Sequence, residues 1–318
     1  MTRTPNPTLY STVVKLVAIQ DGKLPATQGR LAHAAFLDII RAVEPDLAER
    51  LHASRGRKPF TVSPLRDLPR PQQGQIHVGR GRAAWLRFTL LGGDLFTAFT
   101  RHFLAPTPTL PQSGGGGAPT PTLPQSGGGG REGVSIRVGD AAFAVSEVLT
   151  TPGAHPWAGY ATPGDLAGRW ESTPAKALPR QITLEFASPT VFSRRSVDGM
   201  GKFMEPFPAP DMLFGSVVAV WNHHVPDGLD KAAVRRYAEE TVVVGLYHMR
   251  SRMFRYWGRP QIGATGTITY VLKDSKDQAM IRALNTLADF AFYSGVGYKT
   301  TMGMGQVKRQ ASSVKRQA

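Results

Sequence analysis

The sequence predicts an α+β protein with two ferredoxin-like (βαββαβ) domains in tandem. Segments rich in β-branched residues alternate with segments whose apolar residues recur at helical spacing. The order strand, helix, strand, strand, helix, strand occurs twice along the chain. Hydrophobic residues make up 41% of the 318 residues, which is enough for a buried core in each half. We expect a first domain over residues 1–152, a second over residues 153–310 and a tail over residues 311–318.

The first half contains the elements of one βαββαβ unit. Its first helix has apolar side chains at helical spacing, among them Leu31, Ala35 and Ile39. Pro45 suits the first position of the short helix that follows, because the N–H that proline lacks would have no partner there. The predicted elements are a strand over residues 9–20, helices over 30–43 and 46–52, strands from 59 and over 82–91, a helix over 95–103, and one or two strands within 134–150.

The second half repeats this order after a turn-rich connection, TPGAHPWAGYATPGD, which begins at Thr151. Strict alternation predicts a strand in QITLEFA, and we expect the next segment, SPTVFSRR, to be a basic loop. The remaining predicted elements are a helix over residues 212–222, strands within 241–257 and over 266–272, a helix over 276–293, and a closing strand from Val307.

A tandem repeat interrupts the first half. The 13-residue sequence APTPTLPQSGGGG occupies residues 105–117 and recurs unchanged over residues 118–130. Proline-rich segments extend the chain and glycine runs loosen it, so we expect a disordered surface linker. The repeat contains no charged residue and no basic side chain that would turn its glycines into a phosphate-binding loop.

The charge of the chain points to a polyanionic partner. Lysine and arginine number 38 against 23 acidic residues, a formal net charge of +15, and both halves contribute to the excess. Nucleic acid is the first candidate and an anionic membrane the second. The chain has no cysteine, which excludes disulfides and cysteine zinc sites and fits a reducing cytoplasm. Because no apolar run is long enough for a signal peptide or a membrane span, we expect a cytoplasmic protein with no membrane partner.

Two glycine triplets near the end of the chain form the most distinctive motif. Gly295-Val296-Gly297 and Gly303-Met304-Gly305 are separated by five residues that include Tyr298, Lys299 and Thr300. A glycine-rich turn with free N–H groups and a lysine is suited to hold a phosphate. The alternative interpretation is a structural turn.

An arginine-rich strand is the second binding signal. Strand alternation places His248, Arg250, Arg252, Phe254 and Tyr256 on one face, and Met249, Met253, Arg255 and Trp257 on the other. Arginines beside aromatic rings suit phosphate contacts and base stacking, whereas the alternative is a strand with a solvated basic face. The overall charge favours RNA, and the adjacent Arg194 and Arg195 are further candidates for phosphate contacts.

Histidines are the candidate acid–base groups. Among the eight histidines, no HExxH motif occurs, and the neighbouring His223 and His224 are better explained as positive charge at a helix C-terminus. We therefore expect no metal site and no cofactor. His33 and His52 lie among many cations, which disfavour a charged imidazole, so each is a candidate to accept a proton near pH 7. The surrounding cations are Arg30, Arg41, Arg50, Arg55, Arg57 and Lys58.

These motifs together resemble the CRISPR repeat-processing endoribonucleases of the repeat-associated mysterious protein superfamily. The glycine triplets match that superfamily's C-terminal signature throughout. The segments SPTVFSRR, AHPWAG and DLAERLHASRGRKPFTVSP are also similar to segments of the nucleases. The resemblance covers most of the chain except the tandem repeat and the last ten residues.

The resemblance implies two ferredoxin-like domains and a metal-independent cut within each repeat of precursor CRISPR RNA. The ribose 2′-OH would attack the adjacent phosphate and leave a 2′,3′-cyclic phosphate and a 5′-OH. The family's usual histidine falls on His52 and a lysine of some members on Lys58. The first-helix tyrosine of some members has no counterpart in AAFLDII, so His33 either supplies that function or binds RNA. Arg30 is the candidate for stabilising the phosphorane.

The resemblance also implies the partners and their contacts. Repeat RNA, as precursor and as mature guide, is the expected partner, and other subunits of an effector complex are possible ones. The alternative function is a non-catalytic RNA-binding subunit of such a complex, and a membrane-surface protein is a third, weaker interpretation. The expected RNA contacts of the glycine stretch and of the SPT segment are Gly295, Gly297, Lys299, Thr300, Gly303, Gly305, Arg194 and Arg195.

We predict that deletion of one 13-residue copy of the tandem repeat leaves RNA cleavage unchanged. Halving an exposed flexible loop changes its closure free energy by only about 0.6 kcal/mol. The measurement is the cleavage rate of the deleted and full-length proteins on one repeat RNA, and a large loss of rate would show that the repeat is not a passive linker.

Overall fold

A computed structural model describes residues 8–104, 133–195, 201–226, 228–256 and 259–310. The first half contains eight strands and three helices within those residues. In chain order they are β1 (Leu9–Ala18), β2 (Gly22–Pro25), α1 (Gly29–Arg41), α2 (Pro45–Ala53), β3 (Phe60–Val62), β4 (Gln75–Val78), β5 (Ala83–Leu91), α3 (Gly93–Leu104), β6 (Ser135–Val138), β7 (Ala141–Leu149) and β8 (Gly159–Ala161).

The first sheet is antiparallel and has the order β3-β5-β1-β7-β6, with β8 paired to β1. The first and third strands of the βαββαβ unit, β1 and β5, lie side by side at its centre, as a split βαβ arrangement requires. Helices cover one face, where Phe36 of α1 stacks on Phe60 at 4.2 Å between ring centroids. Phe88 and Phe99 pack against the same cluster.

The second half repeats this topology. Its elements are α4 (Pro163–Glu171), a 3₁₀ turn (Ala175–Ala177), β9 (Gln181–Thr190), β10 (Phe192–Arg195), β11 (Lys202–Glu205), α5 (Pro210–His224), α6 (Lys231–Thr241), β12 (Val242–Tyr256), β13 (Arg259–Leu272), α7 (Gln278–Ser294), a 3₁₀ turn (Thr300–Met302) and β14 (Val307–Arg309). The second sheet has the order β12-β13-β9-β14, so the unit's first and third strands are again central. The predicted tandem of ferredoxin-like domains is confirmed.

The structure corrects two expectations for the second half. SPTVFSRR is not a loop, because its first residues end β9 and its last four form β10, which pairs with β11. The connection from Thr151 is not only turns, since it contains β8 and the first residues of α4. In both cases the partner strand lies elsewhere in the chain, so local composition misses the pairing. The sequence also missed α6, although Asp230 caps it by accepting from the N–H groups of Ala232 and Ala233.

Some predictions concern residues that the structure does not describe, or a boundary that it does not test. The tandem repeat at 105–130 and the tail at 311–318 are outside the described residues. The domain boundary at 152 stays a prediction, although β8, which follows it, pairs with β1 of the first sheet. Within the described residues, no helix is both long and apolar enough to cross a membrane.

Arg87 joins the two halves. It lies in the middle of β5 with only 1% of its surface exposed. Its guanidinium donates to Ser11 Oγ at 2.7 Å, to Gln306 Oε1 at 2.7 Å and to the carbonyl of Phe292. The rings of Trp157 and Phe292 lie over it at 4.9 and 4.3 Å. Burial lowers the pKa of Arg87 to about 9, so the group is still charged at pH 7.

Gln306 extends this contact to a second strand of the first sheet. Its Nε2 donates to Thr61 Oγ1 at 3.2 Å, and its backbone N–H donates to Ser188 Oγ at 2.9 Å. Gln306 directly follows the second glycine triplet, so the end of the glycine stretch is held against the first domain.

We predict that Arg87→Met lowers the free energy of unfolding by about 2–4 kcal/mol, because several buried oxygen acceptors lose their donor. Arg87→Lys would recover little, since one ammonium lacks the forked geometry of a guanidinium. The measurement is urea unfolding. As a control, Lys15→Met removes a cation of the neighbouring strand whose ion pair with Glu147 is exposed, and it costs at most about 1 kcal/mol. Equal losses for the two substitutions would contradict the prediction.

Candidate active site and nucleic-acid interface

The glycine stretch forms a folded loop whose glycine amides are largely used within the protein. Gly295 donates to the carbonyl of Ala291 at 2.9 Å, and Gly305 donates to the carbonyl of Pro189 at 3.1 Å. Gly297 donates to Ser216 Oγ at 3.2 Å. The expectation of free N–H groups is therefore wrong for these three glycines.

The second triplet is glycine-rich for a steric reason. Gly305 has a φ of +64°, and a Cβ on it would lie 1.9 Å from the carbonyl oxygen of Val296. Only glycine tolerates both constraints. The structural-turn interpretation thus accounts for the triplets, while Tyr298, Lys299 and Thr300 between them are able to present side chains to a ligand.

The loop between the triplets packs on the first helix of the other domain. Gly29 begins α1, and a Cβ there would lie 1.7 Å from the carbonyl oxygen of Met302. Gly303 is part of the same close approach, since its own Cβ would lie 3.0 Å from the Cα of Gly29. Two glycines from opposite halves therefore let the two backbones touch.

His33 lies at this contact, one helical turn after Gly29. Its Nδ1 is 2.8 Å from the carbonyl oxygen of Thr301, and its ring stacks on Phe60. The side chain is only 9% exposed. Because a carbonyl oxygen only accepts, the hydrogen bond places the proton of the neutral ring on Nδ1 and leaves Nε2 with its lone pair.

Burial is the main cause that lowers the pKa of His33 below its ordinary value. The hydrogen bond that His33 donates to the carbonyl of Thr301 raises the pKa, and the charges of Lys58, His52 and Lys299 lower it further. His33 is therefore neutral at pH 7. The charges of Lys58, His52 and Lys299 thus all act on His33, although the four residues come from three separate parts of the chain.

Lys58 is held at the end of α2. Its ammonium donates to the carbonyls of Leu51 and His52, the second at 3.1 Å. These are among the carbonyls that a helix C-terminus leaves without partners. Burial, and then the charge of Lys299, lower the pKa of Lys58. His52 itself is exposed on the last turn of the helix.

Arg30 is exposed in the first turn of α1, three residues before His33 and on the same side of the helix. The four residues predicted to be catalytic, His33, His52, Lys58 and Arg30, thus gather around the loop of the second domain. The sequence missed Thr301 and did not foresee that Lys299 lies beside His33. No local signal identifies Thr301, because it contributes only a backbone carbonyl.

The predicted arginine-rich strand is confirmed as β12, which pairs with β13 in unbroken register from Leu246 to Tyr256. The alternation therefore places Arg250 and Arg252 on one face and Arg255 on the other, all three exposed. The backbone N–H of Arg255 donates to Thr27 Oγ1 at 3.2 Å. The far end of this hairpin thus touches the first domain two residues before α1 begins.

Arg194 lies exposed on β10 and faces a cavity that also receives Arg57. Arg195 is the last residue of β10, and its side chain is outside the described residues. Each half therefore contributes cations to the surface around the loop.

His224, of the neighbouring pair His223 and His224, does not have the positive charge that was expected at the end of α5. Burial, followed by the charges of His223 and Arg57, lowers the pKa of His224 to about 4. His224 is then neutral at pH 7 and adds no positive charge to the end of α5, so that interpretation is wrong for this residue. No group of three or more histidine, aspartate or glutamate side chains in the described part of the chain is arranged to hold a metal.

Comparison with known families identifies both halves. Residues 184–307 match the family model of the CRISPR-associated endoribonuclease Cas6, and residues 8–117 match that of the CRISPR Cas6 N-terminal domain. A comparison with curated protein sequences gives no match.

Solved structures agree over the whole chain. The chain is similar to a Thermus thermophilus Cas6 product complex at 28% identity and a TM-score of 0.71, over 95% of this chain and 99% of that one. It is similar to a second Cas6 product complex at 26% identity and a TM-score of 0.67, over 96% and 100%. It is similar to a Cas6 substrate mimic complex at 25% identity and a TM-score of 0.63, over 95% of this chain and 99% of that one. The chain therefore belongs to the Cas6 family of CRISPR-associated endoribonucleases, which process CRISPR RNA.

Proposed function

We propose that this endoribonuclease cuts precursor CRISPR RNA within its repeats by attack of a ribose 2′-OH, without a metal ion, using His33 as the proton acceptor. The observation that supports this most is the hydrogen bond between His33 Nδ1 and the Thr301 carbonyl. It holds a neutral imidazole in one tautomer at the contact between the two domains. The solved complexes of similar Cas6 proteins with a product and a substrate mimic support RNA as the ligand.

The reaction is an internal transesterification. The 2′-oxygen forms a new bond to phosphorus while the bond from phosphorus to the 5′-oxygen breaks. The 2′-OH proton passes to a base, and the 5′-oxygen receives a proton from an acid. The products are a 2′,3′-cyclic phosphate and a 5′-OH, and cations stabilise the phosphorane between them.

His33 is suited to be the base. A base near pH 7 must be unprotonated, and burial keeps the pKa of His33 low. With Nδ1–H donated to Thr301, Nε2 is the atom that takes the 2′-OH proton. Phe60 stacks on the ring, and the carbonyl of Thr301 accepts from Nδ1–H. The imidazole therefore needs little further ordering when RNA binds.

His52 is the proposed proton donor to the 5′-oxygen. It is exposed at the end of α2, and its charge acts on His33. Lys58, Lys299 and Arg30 supply positive charge for the phosphorane. Loss of a partly buried cation from such a site raises the activation free energy, because the fixed positive charge that stabilises the transition state is missing.

The finer assignments remain predictions. Lys299, Thr300, Arg194, Arg195, Arg250, Arg252 and Arg255 are proposed RNA contacts, whereas the glycines act by shaping the loop. Association with other effector subunits and a cytoplasmic location are also predictions. The non-catalytic RNA-binding alternative is not favoured by the family assignment.

We predict that cleavage of a cognate repeat RNA persists in EDTA and leaves a 2′,3′-cyclic phosphate. In single-turnover reactions with saturating enzyme, His33→Ala and His52→Ala slow cleavage by about 10²- to 10⁴-fold. Lys58→Ala slows it by about 10²- to 10³-fold. The affinity for uncleaved RNA changes far less, because these groups act mainly in the transition state.

His77→Ala is the matched histidine control, since His77 is exposed on β4, outside the predicted site; it cleaves at the wild-type rate. Full activity of both His33→Ala and His52→Ala would refute the assignment. Cleavage that stops in EDTA and returns with a divalent metal would refute the metal-free mechanism.

We predict that Gly29→Ala impairs catalysis by moving the loop. A Cβ at this position would overlap the Met302 carbonyl, so the Thr301 carbonyl is displaced and the His33 tautomer is no longer fixed. A displacement of about 1 Å costs roughly 10²-fold in rate. The measurements are single-turnover cleavage and the ring ¹⁵N chemical shifts of His33, which distinguish the two neutral tautomers.

Gly93→Ala is the control, because Gly93 also begins a helix, α3, and a Cβ there meets nothing within 4 Å. It retains the wild-type rate. Thermal unfolding of both variants separates loop displacement from loss of fold. A folded Gly29→Ala protein with an unchanged His33 tautomer and rate would show that the loop does not position the histidine.

A further inference from the structure

A cavity of about 700 Å³ opens beside the candidate active site. Arg57 of the first domain forms one wall. Four parts of the second domain form the rest: β10 with Arg194, the first turns of α5, one face of α6, and the glycine stretch at Tyr298. The second domain thus forms most of the cavity, and the first domain adds the guanidinium of Arg57.

Chain connectivity places this cavity next to the catalytic cluster. Arg57 directly precedes Lys58, and Tyr298 directly precedes Lys299. Neighbouring Cα atoms are about 3.8 Å apart, and both lysines act electrostatically on His33. A ligand in the cavity is consequently close to a phosphate at the cluster.

The charges of the lining favour an anion. Arg235 is paired with Asp211 at 3.1 Å, which neutralises both. Among the described residues, no ion pair engages Arg57, Arg194 or Lys231, and one acidic lining residue, Glu239, faces these three cations. An unpaired guanidinium matches phosphate oxygens well.

The cavity also offers an aromatic surface. Tyr298 is 40% exposed, although it belongs to a buried loop. The Lys299 ammonium lies 5.0 Å from its ring centroid, and the backbone N–H of Tyr298 is fixed by the carbonyl of Val191 at 2.8 Å. Exposed aromatic rings beside arginines are the usual platform for unstacked RNA bases.

We propose that this cavity binds one unpaired ribonucleotide of the substrate next to the scissile phosphate, with its base on Tyr298 and its phosphate on Arg57 and Arg194. The proposal rests on the proposed function. The volume lies within the range of about 300–1,000 Å³ typical of small-ligand sites, which admits a single unstacked nucleotide and excludes a duplex. The cavity thus selects RNA whose strand is unpaired at that position.

The test uses repeat RNAs in which each nucleotide flanking the cleavage site is replaced, one at a time, by an abasic residue. Each RNA carries a 2′-deoxynucleotide at the cleavage site, so that no 2′-OH is available to attack, and binding is measured to the full-length protein and to its Tyr298→Ala variant. With Tyr298 present, one abasic position weakens binding by roughly 5- to 150-fold, the range of base–aromatic stacking. With Tyr298→Ala, that penalty disappears at the same position.

Arg57→Ala tests the phosphate contact. It reduces the slope of log affinity against log salt by about one unit. Two exposed residues outside the cavity are matched controls: Tyr160→Ala on β8 and Arg236→Ala, next to Arg235 on α6. Both controls keep the abasic penalty.

Three outcomes would overturn the proposal. The abasic penalties stay the same with and without Tyr298; or the salt slope stays the same without Arg57; or free adenosine monophosphate binds the cavity while the substitutions leave RNA affinity unchanged. These results leave the role of His33 untouched, since that role is tested by cleavage rate. Conversely, a fully active His33→Ala enzyme would refute the proposed chemistry without affecting the binding result.

Discussion

The buried guanidinium of Arg87 is the contact on which the active-site geometry depends. It joins β5 of the first domain to Gln306, the residue that ends the glycine stretch of the second. From Gln306 the chain leads back through Gly305 and Gly303 to Thr301, whose carbonyl holds His33. Among the residues that the structure describes, no carboxylate pairs with Arg87, and a buried charge without such a partner is costly. Its hydrogen bonds to oxygens of both domains offset that cost.

The candidate active site is consequently a property of the domain contact. The first domain contributes His33, His52 and Lys58, while the second contributes the carbonyl of Thr301 and the ammonium of Lys299. The glycines of the signature contribute mainly to the contact between the domains, and less to direct contact with a ligand. Its glycines let the loop approach α1 closely enough for a backbone carbonyl to act as the orienting group for an imidazole.

The same contact brings together positive charges that repel one another. The pKa values of His33, Lys58 and Arg57 are all lowered, chiefly by burial. An RNA phosphate entering the site would relieve this repulsion, which makes binding favourable. Because the charge of His33 is already suppressed, the imidazole stays free to take a proton while the lysines remain cations.

Local sequence patterns were sufficient to predict the fold and an RNA ligand. Apolar periodicity and strand alternation are local, so they predicted both βαββαβ units and β12, and the family segments identified the endoribonuclease. The lone arginine inside the apolar strand AAWLRFTLL, Arg87, is a local sign of a buried polar contact. The folded chain was needed to reveal that most of SPTVFSRR is strand, that three of the glycine amides have acceptors within the protein, and that His33 donates to Thr301. The histidine and its carbonyl are 268 residues apart, and no local pattern encodes such a distance. β10 pairs with the next strand, β11, but the short basic segment has no strand periodicity of its own that would reveal this pairing.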